Sequence, residues 1–166
     1  MKQLILGGNN YTVMFVDDCI RFKVVKFVEN KRDTTTTLLS LVVDYSTSQK
    51  LSIKCIWTDN GGEFAGEFQR KLNRRRITHE YTPPDTPRYN GVAERAHEVL
   101  REKAIVLMEE LHDVINVPQE KLWAQAMFFA CDVTSKSVTT PTDGDTLLYE
   151  LWFGKIPTAD HLRPFG

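Results

Sequence analysis

Two acidic residues are the strongest candidates for chemistry. Asp59 follows an apolar, β-branched run over Leu51–Trp57 and precedes Asn60-Gly61-Gly62, a turn signal. A carboxylate at a strand end points into the crevice where open α/β sheets bind ligands. Glu94 falls in the first turn expected of a long helix. With His97, Glu98 and Arg101 it makes that helix's polar face, away from an alanine–leucine stripe. Two carboxylates on separate elements can share a hard, oxygen-seeking cation such as Mg²⁺. Metals of that kind serve phosphoryl transfer by activating an attacking oxygen and neutralising a leaving one. Strand-end Asp and helix-start Glu are also common structural choices, so spacing alone leaves both readings open.

The remaining chemical side chains are less pointed. Lys71, Arg74, Arg75 and Arg76 cluster in KLNRRR, which reads first as a solvated helix end and second as a set of phosphate contacts. Cys19, Cys55 and Cys131 are far apart, with no CxxC and no His at zinc-finger spacing, so buried reduced thiols are expected. His79, His97, His112 and His161 are scattered and read as surface or helix-packing residues, and the three tryptophans as core or half-buried packing. Net charge is −1 with a pI of about 6.4, which argues against tight, independent DNA binding. Hydrophobic residues at 42% and charged residues at 26% describe a folded soluble domain rather than a disordered chain. No apolar run is long enough to span a membrane, and the opening MKQLILGGNN lacks the apolar core and cleavage site of a secretory leader.

Positioning Asp59 and Glu94 requires a particular order of elements. YTVMFV over 11–16 and FKVVKFV over 22–28 read as two strands close enough to form a hairpin. Asp33 is expected to cap a helix running to about Tyr45. The Asp59 strand follows. Next comes an amphipathic helix over 63–74 with Phe64, Phe68 and Leu72 on one face, then a short strand over 77–81. The proline-rich stretch 82–91 reads as a loop, with Asn90 capping the long helix whose buried stripe is Ala93, Ala96, Leu100, Ala104, Leu107 and Leu111. Pro118 is expected to open another helix carrying Trp123, Ala126, Met127, Ala130 and Cys131, and 146–153 a last short one. That order implies an α/β domain on a mixed sheet with flanking helices.

Several segments resemble copia-type retrotransposon integrases. Asp59-Asn60-Gly61-Gly62-Glu63-Phe64 is similar to their "DNGGEF" segment. Tyr81-Thr82-Pro83 with Tyr89-Asn90-Gly91-Val92-Ala93-Glu94-Arg95 is similar to "YTPQQNGVAER". The separation of Asp59 and Glu94 fits the last two carboxylates of the family's DDE signature. The hairpin residues Phe15 to Phe22, the Leu122-Trp123-Ala124-Gln125-Ala126 segment, Tyr149 to Pro157, and His161 to Gly166 match further family motifs in order, so the likeness runs from Gly7 to Gly166.

The resemblance implies an RNase H-like fold of the retroviral integrase superfamily. It implies DNA 3′-end processing and strand transfer as reactions, and Asp59 and Glu94 as catalytic ligands of Mg²⁺ or Mn²⁺. Asn90 would shape the loop before the catalytic helix, and Arg95 and Arg101, with Lys71, Arg74, Arg75 and Arg76, would contact DNA. The partners implied are DNA (element ends and target) and further copies of the chain, with no membrane, and integration implies a nuclear location. In the family the first catalytic Asp lies on a central strand upstream of the turn matched by Gly7-Gly8-Asn9-Asn10, and no Asp precedes Asp17 here. The expectation is therefore a core over 7–110 lacking that strand and that carboxylate, with a helical extension over 111–166 and an impaired site. The competing expectation is an inactive remnant or a domesticated nucleic-acid- or protein-binding module.

Overall fold

In the computed structural model, residues 10–48, 52–82, 87–111, 119–137 and 146–158 are described. Their β-branched and aromatic composition makes Tyr11–Val16 (β1) and Lys23–Val28 (β2) extended, and the two pair antiparallel with Tyr11 opposite Val28 and Val16 opposite Lys23. The expected hairpin is present. Asp17 closes it: its carboxylate accepts the backbone N–H of Cys19 at 3.0 Å and of Ile20 at 2.7 Å. Arg21, at φ +64°, completes the reversal.

The chain divides into two compact units, one of residues 1–29 with 93–166, the other Asn30–Val92. In the first unit, the hairpin shares a core with α3 (Pro87–Glu110, from Ala93 onward) and α4 (Gln119–Lys136). Leu100, Ala104, Ala126 and Met127 are completely buried there, with Val25, Ala130 and Cys131 beside them. The Lys103 ammonium donates to the Thr134 hydroxyl at 2.8 Å, and that hydroxyl donates to the Ala130 carbonyl at 2.6 Å, tying α3 to α4. The short α5 (Leu148–Phe153) packs against α4, and its Trp152 ring stacks on Phe22 with centroids 4.9 Å apart. Gly154, in the left-handed region at φ +66°, ends α5 by donating to the Glu150 carbonyl.

The second unit builds the Asp59 strand. Its elements are α1 (Asp33–Ser48), β3 (Cys55–Thr58), a 3-10 turn (Gly62–Phe64), α2 (Glu67–Arg74) and β4 (Thr78–Tyr81). β3 and β4 pair in parallel, Cys55 opposite Thr78 and Thr58 opposite Tyr81. Parallel neighbours need a crossover, and α2 supplies it. Phe68, Leu72, Ile56 and Ile77 are buried here, with Leu38, Leu39, Leu41 and Val42 of α1. Among the described residues the strands form two two-stranded ladders, β1–β2 and β3–β4.

Five expectations are corrected. Asp33 does not cap α1: it is the first helical residue, and its carboxylate reaches back to the Asn30 N–H at 3.2 Å. The strand expected over 51–57 is ordered as a ladder over Cys55–Thr58, with Leu51 outside the described residues. The helix expected over 63–74 breaks at Gly66, where φ is +62°. The loop expected to last until 91 ends sooner, because proline's fixed φ and missing N–H suit a helix's first turn and α3 starts at Pro87. Asn90 is thus inside the helix rather than capping it, and Glu94 lies about two turns in rather than in the first. Finally, Cys19 is exposed, whereas Cys131 is buried and Cys55 partly so. Trp152 is buried and Trp57 stands 49% exposed. Pro118, His112 and His161 lie outside the described residues.

The fully buried Leu100 is the residue on which the first core turns. Leu100→Ala is expected to lower unfolding free energy by about 2–5 kcal/mol, while Val106→Ala on the exposed side of the same helix should change it by about 0.5 kcal/mol or less. Urea denaturation of both variants checks the contrast.

Candidate functional site

Asp59 is presented by the end of the β3–β4 ladder. The Thr58 carbonyl accepts the Thr82 N–H at 2.9 Å, which carries the ladder one rung past β4, and the Thr82 hydroxyl donates to it at 3.3 Å. The Asn60 side-chain amide donates to the Thr82 carbonyl at 3.2 Å. The turn is thus held to the neighbouring strand on both sides of Asp59. Its carboxylate is exposed, and Oδ1 accepts the Gly61 N–H at 3.1 Å.

Gly61 is required for space rather than for its dihedral angles. Its φ is −59°, open to any residue. A Cβ there would lie 2.9 Å from the Glu63 carboxylate and 3.0 Å from Asp59 Oδ1. Two carboxylates therefore occupy the space that a side chain at this position would need. Glu63, which the sequence placed on a helix face, sits in the 3-10 turn and is held by Lys31 at 3.4 Å. It went unnoticed because nothing in DNGGEF says that its side chain folds back toward Asp59.

His79, on β4, lies under the same turn. Its Nε2 is 2.9 Å from the Thr58 hydroxyl, and that hydroxyl donates to the Asp59 carbonyl, also at 2.9 Å. The ring is edge-on to Phe68 with centroids 5.2 Å apart and tilted against Tyr81 at 4.3 Å. The Tyr81 hydroxyl donates to the Phe64 carbonyl at 3.1 Å. Burial pushes the His79 pKa below the ordinary histidine value, and Nδ1 is buried without a hydrogen-bond partner among the described residues. His79 accordingly has the packing role expected of it, and Thr58 is a contact that the spacing did not reveal.

Glu94 belongs to the other unit and is exposed on α3 with His97, Glu98 and Arg101, the polar face expected. Arg95 pairs with Glu98 at 2.6 Å across one turn. The KLNRRR cations mark the end of α2. Lys71 pairs with Glu67 at 2.7 Å, drawing that carboxyl's pKa down, and the Arg75 guanidinium donates to the Lys71 carbonyl at 3.1 Å. Arg76 takes the left-handed φ of +59° beyond the helix. Cations placed there complement the partial negative charge of a helix C-terminus. A cleft of about 360 Å³ bordered by Lys31, Arg32, Glu63, Glu67 and Lys71 holds those same ion pairs, so its charges largely offset one another. No group of three His, Cys, Asp or Glu able to hold a metal occurs among the described residues. Asn90 is helical, and its side chain is not among those described.

Two outcomes follow from this geometry. Neutral His79 is favoured in the fold, so below pH 6.5 the unfolded chain takes up a proton that the folded chain resists, and stability falls with further acidification. Melting temperature should drop between pH 7 and about 5, and less steeply in His79→Gln. At Gly61 the atoms that an added methyl meets are flexible side-chain ends. Gly61→Ala should therefore cost about 1 kcal/mol or less while moving both carboxylates, read by thermal melting and by a shifted amide resonance at position 61.

No family model matches the sequence. The chain is 32% identical over 168 residues to the retrovirus-related Pol polyprotein from transposon TNT 1-94 of Nicotiana tabacum, covering 97% of this chain and 12% of that protein. It is 27% identical over 164 residues to the Pol polyprotein from transposon RE1 of Arabidopsis thaliana, covering 98% of this chain and 11% of that protein. The chain thus spans roughly an eighth of the length of these relatives or less. Among solved structures, the HTLV-2 integrase catalytic core domain in complex with magnesium, in a trimeric form, aligns with a TM-score of 0.57 at 20% identity, over 84% of this chain and 82% of that one. The BIV integrase catalytic core aligns at 0.59 and 18% identity, over 87% and 88%. The chain also covers 52% of a chain in the simian T-cell lymphotropic virus intasome in complex with the PP2A regulatory subunit B56 gamma, with a TM-score of 0.63 at 20% identity over 91% of this chain. The chain is a homologue of the retrovirus-related Pol polyproteins of plant transposons, along a segment with the RNase H-like fold of retroviral integrase catalytic cores.

Proposed function

We propose that this chain is the catalytic-core segment of a retrotransposon integrase that processes DNA 3′ ends and joins them to target DNA. The observation that carries this reading is the placement of Asp59. An exposed carboxylate on a glycine turn at the mouth of a parallel strand pair sits in a chain with integrase-core fold and Pol-polyprotein homology. Magnesium in the HTLV-2 structure supports a divalent metal for this chain. The donor type fits, since Asp59 and Glu94 offer exposed hard oxygens, as Mg²⁺ or Mn²⁺ requires. A metal held by such oxygens would supply charge neutralisation at the phosphate.

The chain's own groups have distinct tasks in this reading. The Gly61 N–H orients one oxygen of Asp59, leaving its carboxylate at the surface. Glu94 projects from a rigid helix whose Leu100–Ala104 stripe is locked in the core. Arg101 on that helix and Arg74, Arg75 and Arg76 at the end of α2 are exposed cations suited to DNA phosphates, while Lys71 and Arg95 would exchange their glutamate partners for phosphate. In 3′-end processing water attacks a phosphodiester and an oxygen leaves. In strand transfer the freed 3′-hydroxyl attacks a target phosphodiester and displaces a target 3′-oxygen. Asp59 and Glu94 are the residues here that match the family's last two carboxylates, so the 166-residue chain alone should join DNA ends poorly.

Titration with Mn²⁺ by calorimetry tests the assignment. The chain is expected to bind, and Asp59→Asn and Glu94→Gln each to weaken binding by more than the roughly tenfold loss that follows removal of an outer-shell partner. Unaltered Mn²⁺ binding in both variants would overturn the assignment.

A further inference from the structure

We propose that His79 is a positioning residue for Asp59: from β4 its Nε2–H donates to the Thr58 hydroxyl, which donates in turn to the Asp59 carbonyl and fixes the turn that presents the carboxylate. This rests on the reading of Asp59 as a metal ligand. The direction of the chain of bonds follows from counting protons. A threonine hydroxyl has a single hydrogen. Thr58 commits it to the Asp59 carbonyl at 2.9 Å, so the 2.9 Å contact with Nε2 can form only if the imidazole donates. His79 is then the Nε2–H tautomer, and Nδ1 is a bare lone pair. That accounts for an Nδ1 that is buried and unpartnered among the described residues, since a protonated Nδ1 would bury an N–H with no acceptor among them. Desolvation, which lowers the His79 pKa, acts in the same direction.

The ring has little freedom to do otherwise. His79 is opposite Ile56 in the ladder, so its side chain reaches diagonally to Thr58, two residues further along β3. Phe68 and Tyr81 hold the ring, and the Tyr81 hydroxyl is itself anchored to Phe64. Thr58 is therefore pinned twice, through its carbonyl by Thr82 and through its hydroxyl by His79.

Two variant pairs separate hydrogen bonding from packing. His79→Gln keeps a donor at the Nε2 position, and His79→Met has similar length without one. Thr58→Ser keeps the hydroxyl, and Thr58→Val keeps the shape. Nitrogen NMR of metal-free protein should show the Nε2–H tautomer, and the Asp59–Gly61 amide resonances should shift in His79→Met and Thr58→Val but stay near wild type in the other two. Mn²⁺ affinity should fall about tenfold in the first two and recover in the latter, the scale of lost outer-shell support, with melting temperatures taken in parallel. An Nδ1–H tautomer, or glutamine and methionine variants that behave alike, would overturn the proposal. If wild-type protein binds no Mn²⁺ while the amide shifts sort as expected, the metal reading of Asp59 fails and the positioning role stands.

Discussion

The bond from the Thr82 N–H to the Thr58 carbonyl, 2.9 Å long, is the constraint on which the site depends. It extends the parallel β3–β4 ladder one rung beyond β4 and places Asp59 immediately after the last fixed peptide. Only then can Asn60 turn across to the Thr82 carbonyl and Gly61 return its N–H to the Asp59 carboxylate. A backbone bond of this kind contributes about 1 kcal/mol by itself. Its larger effect is geometric, since the side-chain bonds at the turn assume a Thr58 that does not move.

The two proposed metal ligands are held by different physics. Asp59 stands on a turn whose shape comes from hydrogen bonds and from a glycine whose missing Cβ leaves room for two carboxylates. Glu94 stands on a helix whose orientation comes from burial of Leu100 and Ala104 among the α4 residues Ala126 and Met127. A turn is sensitive to single polar contacts, a helix to packing volume. Substitutions in the α3 core would thus act on Glu94 through stability, whereas substitutions at Thr58, Gly61 or His79 act on Asp59 directly.

Much of this was legible in the sequence where the signal is local. β1 begins and ends where its β-branched run does, and Asp59 ends its strand as the glycine turn requires. The polar face of Glu94, His97, Glu98 and Arg101 follows from helical spacing. What escaped depends on dihedral angles or on contacts across strands. Gly66 looks like an ordinary glycine inside a helical pattern until its positive φ splits the helix. Pro87 looks like part of a proline-rich loop, although the same residue opens a helix well, which is why Asn90 and Glu94 lie deeper in α3 than their motif suggested. His79 was read for packing, and its link to Thr58 needs the parallel register, which no periodicity encodes.

Three of the cations proposed to contact DNA are already engaged within the chain. Lys71 pairs with Glu67, Arg95 with Glu98, and Arg75 covers a carbonyl at the end of α2. An exposed ion pair of this kind is worth about 0–1 kcal/mol, so a phosphate can displace the carboxylate at little cost. The displaced glutamates nevertheless stay nearby and repel the phosphate, and the chain as a whole carries a net charge of −1. In the proposed role, contacts from one copy of this segment would add up to weak DNA affinity, because the favourable counterion release per cation would be partly offset by each freed carboxylate. In the proposed role, tight holding of DNA would come from several such segments acting together, since linked weak sites gain effective concentration without any new contact.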